Sequence, residues 1–169
     1  MNSKDNFGPM LGVPFVENGK AVMFAYIGLS FGDLLSGLLS QFLKSRKLVV
    51  YLYLGFTFLI VTWFLFFAKD ISLDTYYLLC FLLGTGTGYW AIFVTIAAEQ
   101  YGTNIRSTAA NTIPNFVRGS VNIIILLFTL FLSWNLSLGF SAYFVGLIFI
   151  ALALFAISRL KETFGKDLN

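Results

Sequence analysis

Between residues 21 and 158 the chain holds five apolar stretches, each about the length needed to cross a bilayer, with only short polar segments between them. A helix rises 1.5 Å per residue, so about 20 mostly apolar residues cover the hydrocarbon thickness. The stretches run over residues 21–43, 48–68, 75–98, 107–132 and 138–158. Charged residues collect at their ends instead of recurring at helical spacing within them. Composition excludes a soluble alternative: 58% of the residues are hydrophobic and 11% charged, with a mean hydropathy of +0.83. A soluble domain, at roughly half apolar and a quarter charged, would have no core large enough to hide that excess. The expected fold is an all-α integral membrane bundle of five transmembrane helices in contact with the lipid bilayer.

Lysine and arginine set the expected orientation. Lys44, Arg46, Lys47, Arg106, Arg159, Lys161 and Lys166 follow the first, third and fifth stretches, whereas Lys4, Lys20 and Lys69 lie on the other side. The positive-inside bias then places the C-terminal tail, 159–169, in the cytoplasm and residues 1–20 outside, as an external loop or the end of a missing helix. Residues 1–20 contain Pro9 and Pro14 and lack the basic region and apolar core of a signal peptide. The net charge of +3 is a topology signal, not a nucleic-acid surface. The expected location is a plasma membrane, as in a bacterial inner membrane.

With no histidine and one cysteine, Cys80, the chain offers neither imidazole chemistry nor a cysteine metal site or disulfide framework. Paired intramembrane carboxylates and a serine or cysteine beside a base are also missing. An enzyme is therefore not expected, nor a cofactor or a metal.

Four polar features sit within the apolar stretches. Asp33 is an acid inside the first, where an ionised carboxylate costs roughly 2.5–3.5 kcal/mol on insertion scales. It needs a partner or water, as a functional acid or in a structural ion pair. Gly28, Gly32, Ser36 and Ser40, with Gly37 beside them, form a face of small residues that lets another helix approach, for packing or for a moving interface. Gly84-Thr85-Gly86-Thr87-Gly88 lies inside the third stretch, followed by Tyr89 and Trp90. It reads either as a tightly packed, slightly deformable helix or as a device that sets Tyr89 or Trp90 at a cavity edge. The fourth stretch carries Asn111, Asn115, Arg118 and Asn122 on one helical stripe beside Pro114, which can kink the helix. Arg118 lies about 18 Å along the helix from Arg106. That is too deep for easy snorkelling, so it needs a protein partner, with Asp33 one candidate, or a water-filled cavity. The bland alternative is interhelical hydrogen bonding that only holds the bundle together. Glu99 and Arg106 bracket the turn between the third and fourth stretches, close enough for a pair between helix ends.

Three segments at the basic membrane ends carry a family likeness. Gly37 to Lys47 is similar to G-x-L-A-D-R-x-G-R-R/K: Gly37, Leu39 and Arg46 match, while Gln41, Phe42 and Lys44 depart from it. Glu99 to Ser107 is similar to E-x-x-P-T-x-x-R-G/S/A through Glu99, Thr103 and Arg106, with Gly102 in place of the proline. Lys161 to Leu168 is similar to P-E-T-K-G-x-x-L through Glu162, Thr163, Gly165 and Leu168, with Lys161 and Phe164 in place of the proline and lysine. In this order and at these boundaries they resemble helices eight to twelve of a major facilitator superfamily transporter, of the sugar-porter or metabolite-symporter branch.

The resemblance implies a partial C-terminal six-helix half of that fold, with a missing N-terminal transporter half as partner. It implies a secondary active transporter that moves a small organic solute by alternating access, proton-coupled in the intact protein. Asp33, Glu99, Arg106 and Arg118 are then the coupling or gating candidates, and Tyr89, Trp90, Asn111 and Asn115 the substrate-cavity candidates. The alternative is a small non-transporting membrane partner that packs against other helices through its small-residue faces.

Overall fold

The computed structural model describes residues 12–13 and 16–165; Lys4, Pro9, Pro14 and Lys166 lie outside the described residues. Seven helices make up the regular structure among them: α1 Asn18–Leu43, α2 Arg46–Phe66, α3 Leu73–Thr87, α4 Trp90–Glu99, α5 Arg106–Gly119, α6 Val121–Ser133 and α7 Leu138–Arg159. Joined as α3–α4 and α5–α6, they make five segments long and apolar enough to cross a membrane: Asn18–Leu43, Arg46–Phe66, Leu73–Glu99, Arg106–Ser133 and Leu138–Arg159. Helix α1 starts within the expected external loop, and α2 starts at Arg46, inside the expected basic connection.

Short polar residues set the boundaries. Lys44 ends α1 in the left-handed conformation, φ 49°, which turns the chain sharply. Ser45 then caps α2 by accepting the Leu48 N–H. Ser72 and Ser137 do the same for α3 and α7 through the N–H groups of Thr75 and Phe140. A serine oxygen at this position satisfies one of the donors that a helix start leaves without an internal acceptor.

The closest packing is α1 against α3. A Cβ on Gly28 would run into the Phe81 carbonyl, and one on Gly84 into the Ala25 carbonyl. Gly32 and Gly88 meet in the same way one turn further along. Most of the small-residue face of α1 is thus buried inside this chain: Gly28, Gly32, Ser36 and Ser40 are its buried residues, while Gly37 has open space where a Cβ would sit. Two apolar clusters complete the bundle. Phe64, Ala68, Tyr76, Tyr77 and Leu79 pack around the end of α2, and Val49, Val50, Tyr53, Leu54, Ile92, Ile96 and Ile157 join its start to α4 and α7.

Two expected continuous helices are divided. The 75–98 stretch breaks at Gly88 and Tyr89, where three glycines in five residues weaken the helix and the tight approach of α1 holds the irregular backbone in place. The 107–132 stretch is interrupted at Ser120, not at Pro114, which sits inside α5. Ser120 keeps helical angles, φ −67° and ψ −14°, and its N–H still reaches the Phe116 carbonyl, so the direction of the segment carries through. Neither α5 nor α6 buries a residue. They lie on the flank of the bundle, against α4 on one side and α7 on the other.

Candidate functional site

Helix α4 begins part-way along a 27-residue span, so its first N–H groups emerge within the span and not at its end. Tyr89 precedes it with φ −126° and ψ 22° and supplies no side-chain cap. The acceptor comes from another helix: the Asp33 carboxylate takes the Ala91 N–H at 3.3 Å. A carboxylate here also meets the positive end of the α4 dipole, which favours negative charge at a helix start. The Gly86 carbonyl at the break has a side-chain partner, and so does a carbonyl of the unbroken facing helix. Thr57 donates to the Gly86 carbonyl at 2.7 Å, and Tyr53 donates to the Gly32 carbonyl at 2.8 Å on the facing helix. Irregular backbone at membrane depth is tolerated only when it is satisfied in this way.

Beside that helix start, between α4 and α5, lies an open cleft of about 670 Å³. Trp90, Asn111, Asn115 and Arg118 line it together with Ala91, Val94, Ala110 and Pro114. The Arg118 guanidinium stands over the Trp90 ring, 5.7 Å from its centre. The Asn115 side-chain amide donates to the Asn111 backbone carbonyl at 3.0 Å, one turn back. Four of the candidate site residues, Trp90, Asn111, Asn115 and Arg118, therefore line one cleft, together with Pro114. Tyr89 does not line it; its ring packs edge-on against Tyr53 at 5.9 Å in the apolar cluster. Asp33 and Arg118 do not form an ion pair: the first holds the α4 backbone and the second the Trp90 face.

A second cleft, of about 490 Å³, continues from Val94 and Ala110 toward the α4–α5 turn, where Glu99, Thr103 and Arg106 line it. Glu99 and Arg106 line the same space, and Glu99 forms an ion pair with Arg46 at the start of α2. That pair belongs to a larger polar cluster. Arg46 also reaches the Thr163 hydroxyl at 3.5 Å and the Phe164 ring at 6.0 Å. Glu162 accepts from the Ser45 hydroxyl at 2.5 Å and from the backbone N–H groups of Arg46, Lys47, Thr163 and Phe164 at 3.0–3.2 Å. Burial alone would raise the Glu162 pKa. The Ser45 hydroxyl and the N–H groups of Phe164, Arg46 and Lys47 outweigh it and pull the carboxyl down to about 2. Gln100 and Lys161 exchange two further bonds, from the Gln100 amide to the Lys161 carbonyl and from the Lys161 N–H to the Gln100 side-chain oxygen. The three segments that carry the family likeness thus converge at one end of the bundle, with Gly37 and Gly165 outside the bonded cluster.

Among the described residues no group of three His, Cys, Asp or Glu side chains could hold a metal ion. The chain matches no protein-family model, no curated protein and no solved structure.

Proposed function

We propose that this chain is a membrane-embedded part of a secondary active transporter, and that the α4–α5 cleft is one wall of its solute path. The observation that carries the reading is the discontinuous third span: a helix N-terminus opens part-way along it, beside a cleft lined by Trp90, Asn111, Asn115 and Arg118. Broken helices at this depth are how transporters present backbone polarity and dipole ends to solutes and coupling ions. The exposed polar side chains of α5 support it further. Two asparagines and an arginine in the interior of a span need a protein neighbour or a water-filled cavity in a bilayer. A second helical half, as in the major facilitator arrangement, would close the cleft over them.

Asp33 is the coupling candidate by the same geometry. As a carboxylate it holds the positive end of α4, and once protonated it holds that end less strongly. Proton binding on α1 would then alter how firmly α4, and with it Trp90, is held at the cleft. The Arg46–Glu99 pair and the Glu162 cluster would fasten the basic end in one conformation of the cycle.

The test is uptake by the complete two-half protein in vesicles, with a mixture of sugars, organic acids and amines read by mass spectrometry. One solute class should accumulate, and Arg118→Ala and Trp90→Ala should each lower its accumulation at least about tenfold, the scale expected for losing one positioned contact. Uptake equal to that of empty vesicles would refute the transporter reading. If accumulation retains its pH dependence in Asp33→Asn, Asp33 is not the coupling acid. Crosslinking in native membranes to an unrelated protein, with no uptake, would favour a packing partner instead.

A further inference from the structure

A further groove lies between α2 and α7 and shares no lining residue with the two clefts. It holds about 270 Å³ and is lined by apolar or small residues, among them Tyr51, Gly55 and Phe58 on α2 and Leu147, Ala151 and Leu154 on α7. It exists because the two helices place small residues where they face each other. A Cβ on Gly55 would meet nothing within 4 Å. The lining residues recur every three or four positions, so the groove runs along both helices for about 10 Å.

The groove has a charged end. Lys47 stands one turn before Tyr51 on the same face of α2, and its Nζ donates to the carbonyls of Leu160 at 2.7 Å and Ser158 at 3.3 Å at the end of α7. An ammonium group has three N–H donors, and these two bonds leave one. Among the described residues no carboxylate lies within ion-pair distance of Lys47. The acids nearby are committed elsewhere, Glu162 to five donors and Glu99 to Arg46. Arg159, stacked on Phe155 at 5.2 Å, adds a second cation to the same end of α7.

We propose that this groove binds an anionic glycerophospholipid, with one acyl chain along Gly55 and Ala151 and its phosphate on Lys47. The inference rests on the membrane location in the functional reading above, but not on transport. Charge complementarity selects the occupant: the apolar groove suits any acyl chain, whereas the cationic end, about 6 Å from Tyr51 along the helix, favours a headgroup of net negative charge. Lys47 then does two things at once. It closes the carbonyl end of α7, and it holds the phosphate over the α2–α7 seam.

The experiment is native mass spectrometry of the detergent-purified full chain, titrated separately with dioleoyl-phosphatidylglycerol and dioleoyl-phosphatidylcholine. The expected result is one tightly retained phosphatidylglycerol, preferred about fivefold over phosphatidylcholine, the effect of one basic side chain on an anionic lipid. Lys47→Gln, which keeps a hydrogen-bond donor but loses the charge, should abolish the preference. Gly55→Leu, whose Cβ enters open space and whose longer side chain occupies the groove, should remove retention of both lipids while circular dichroism stays unchanged. Equal retention of the two lipids by the unmodified chain, or retention that survives Gly55→Leu, would overturn the site. Release of the chain from native membranes by alkaline extraction would overturn the membrane location, and the lipid site with it, as a result separate from the lipid titration.

Discussion

The carboxylate of Asp33 accepts the backbone N–H of Ala91, 58 residues further along the chain, at the first turn of a helix that has no cap of its own. An acid on one span thereby completes the start of another. The bond joins the two parts of the bundle that the functional reading requires to communicate, the α1–α3 crossing and the α4–α5 cleft. It also has a direct energetic signature.

Asp33→Ala removes the acceptor and leaves the α4 start with one more unsatisfied donor, whereas Asp33→Asn keeps an oxygen in place. Loss of a cap costs about 0.5–2 kcal/mol, and asparagine caps about as well as aspartate. Thermal unfolding in detergent, followed by circular dichroism, should therefore show Asp33→Ala as the more destabilised variant, with Asp33→Asn losing only the attraction of the charge for the α4 start, about 0.3–1 kcal/mol. Equal losses in the two variants would mean that the charge, and not the acceptor oxygen, is what holds α4.

Glu162 makes stability depend on acid. Its carboxyl is pulled from an ordinary 4.5 to about 2 in the folded chain, so the folded state favours the ionised form. The contribution is present in full above pH 4.5 and is lost as the pH falls from there through about 2. Because the side chain is only partly buried, about 1 kcal/mol is a reasonable size after solvent screening. Unfolding midpoints measured across that window should fall more steeply for the unmodified chain than for Glu162→Gln. Parallel curves would show that the five hydrogen bonds do not discriminate between the two protonation states.

The spans were legible because apolar length is a one-dimensional property, and five runs remain five long apolar helical segments. The breaks were less legible. Gly84–Gly88 is compatible with a continuous, tightly packed helix, and only the approach of Gly28 and Gly32 decides how much irregular backbone the site can hold. Pro114 announces its lost hydrogen bond in the sequence, yet the interruption falls six residues later at the Gly119–Ser120 pair, a weaker signal that the proline overshadows. The Asp33 and Glu162 contacts were hidden for a related reason. Most of their partners are backbone N–H groups, which every residue but proline carries, so nothing in the partner's identity points back to the acid. The shared cleft wall of Asn111, Asn115 and Arg118 was readable as a helical stripe, whereas the addition of Trp90 and the departure of Tyr89 depend on the geometry of the break.

The α1–α3 crossing predicts opposite outcomes for the same chemical change on related helix faces. Gly84→Ala drives a methyl into the Ala25 carbonyl, backbone that cannot move aside without opening the crossing. Overpacking of this kind costs about 1–3 kcal/mol. Gly37→Ala adds the methyl to open space in the interior of α1, where alanine is favoured by up to about 1 kcal/mol. Unfolding by a graded denaturing detergent should place the two variants on either side of the unmodified chain. Gly37→Ala also tests whether that glycine is used in motion: a stabilised bundle with reduced uptake in the complete protein would place Gly37 at a moving interface.

Arg46 and Glu99 form an ion pair whose side chains are 21% and 15% exposed, so most of each charge is out of water. Removing one partner of such a pair leaves the other poorly solvated, and the single variants Arg46→Gln and Glu99→Gln should each lose about 1–3 kcal/mol. The two losses should not be equal. Arg46 also reaches Thr163 and Phe164, and the N–H that its backbone gives to Glu162 survives substitution. Arg46→Gln therefore forfeits side-chain contacts to the tail that Glu99→Gln keeps, and it should be the more damaging. The double variant should be less unstable than the sum of the singles by at least about 0.5 kcal/mol, the coupling expected for residues in contact. Additive losses would reduce the pair to coincidence of position.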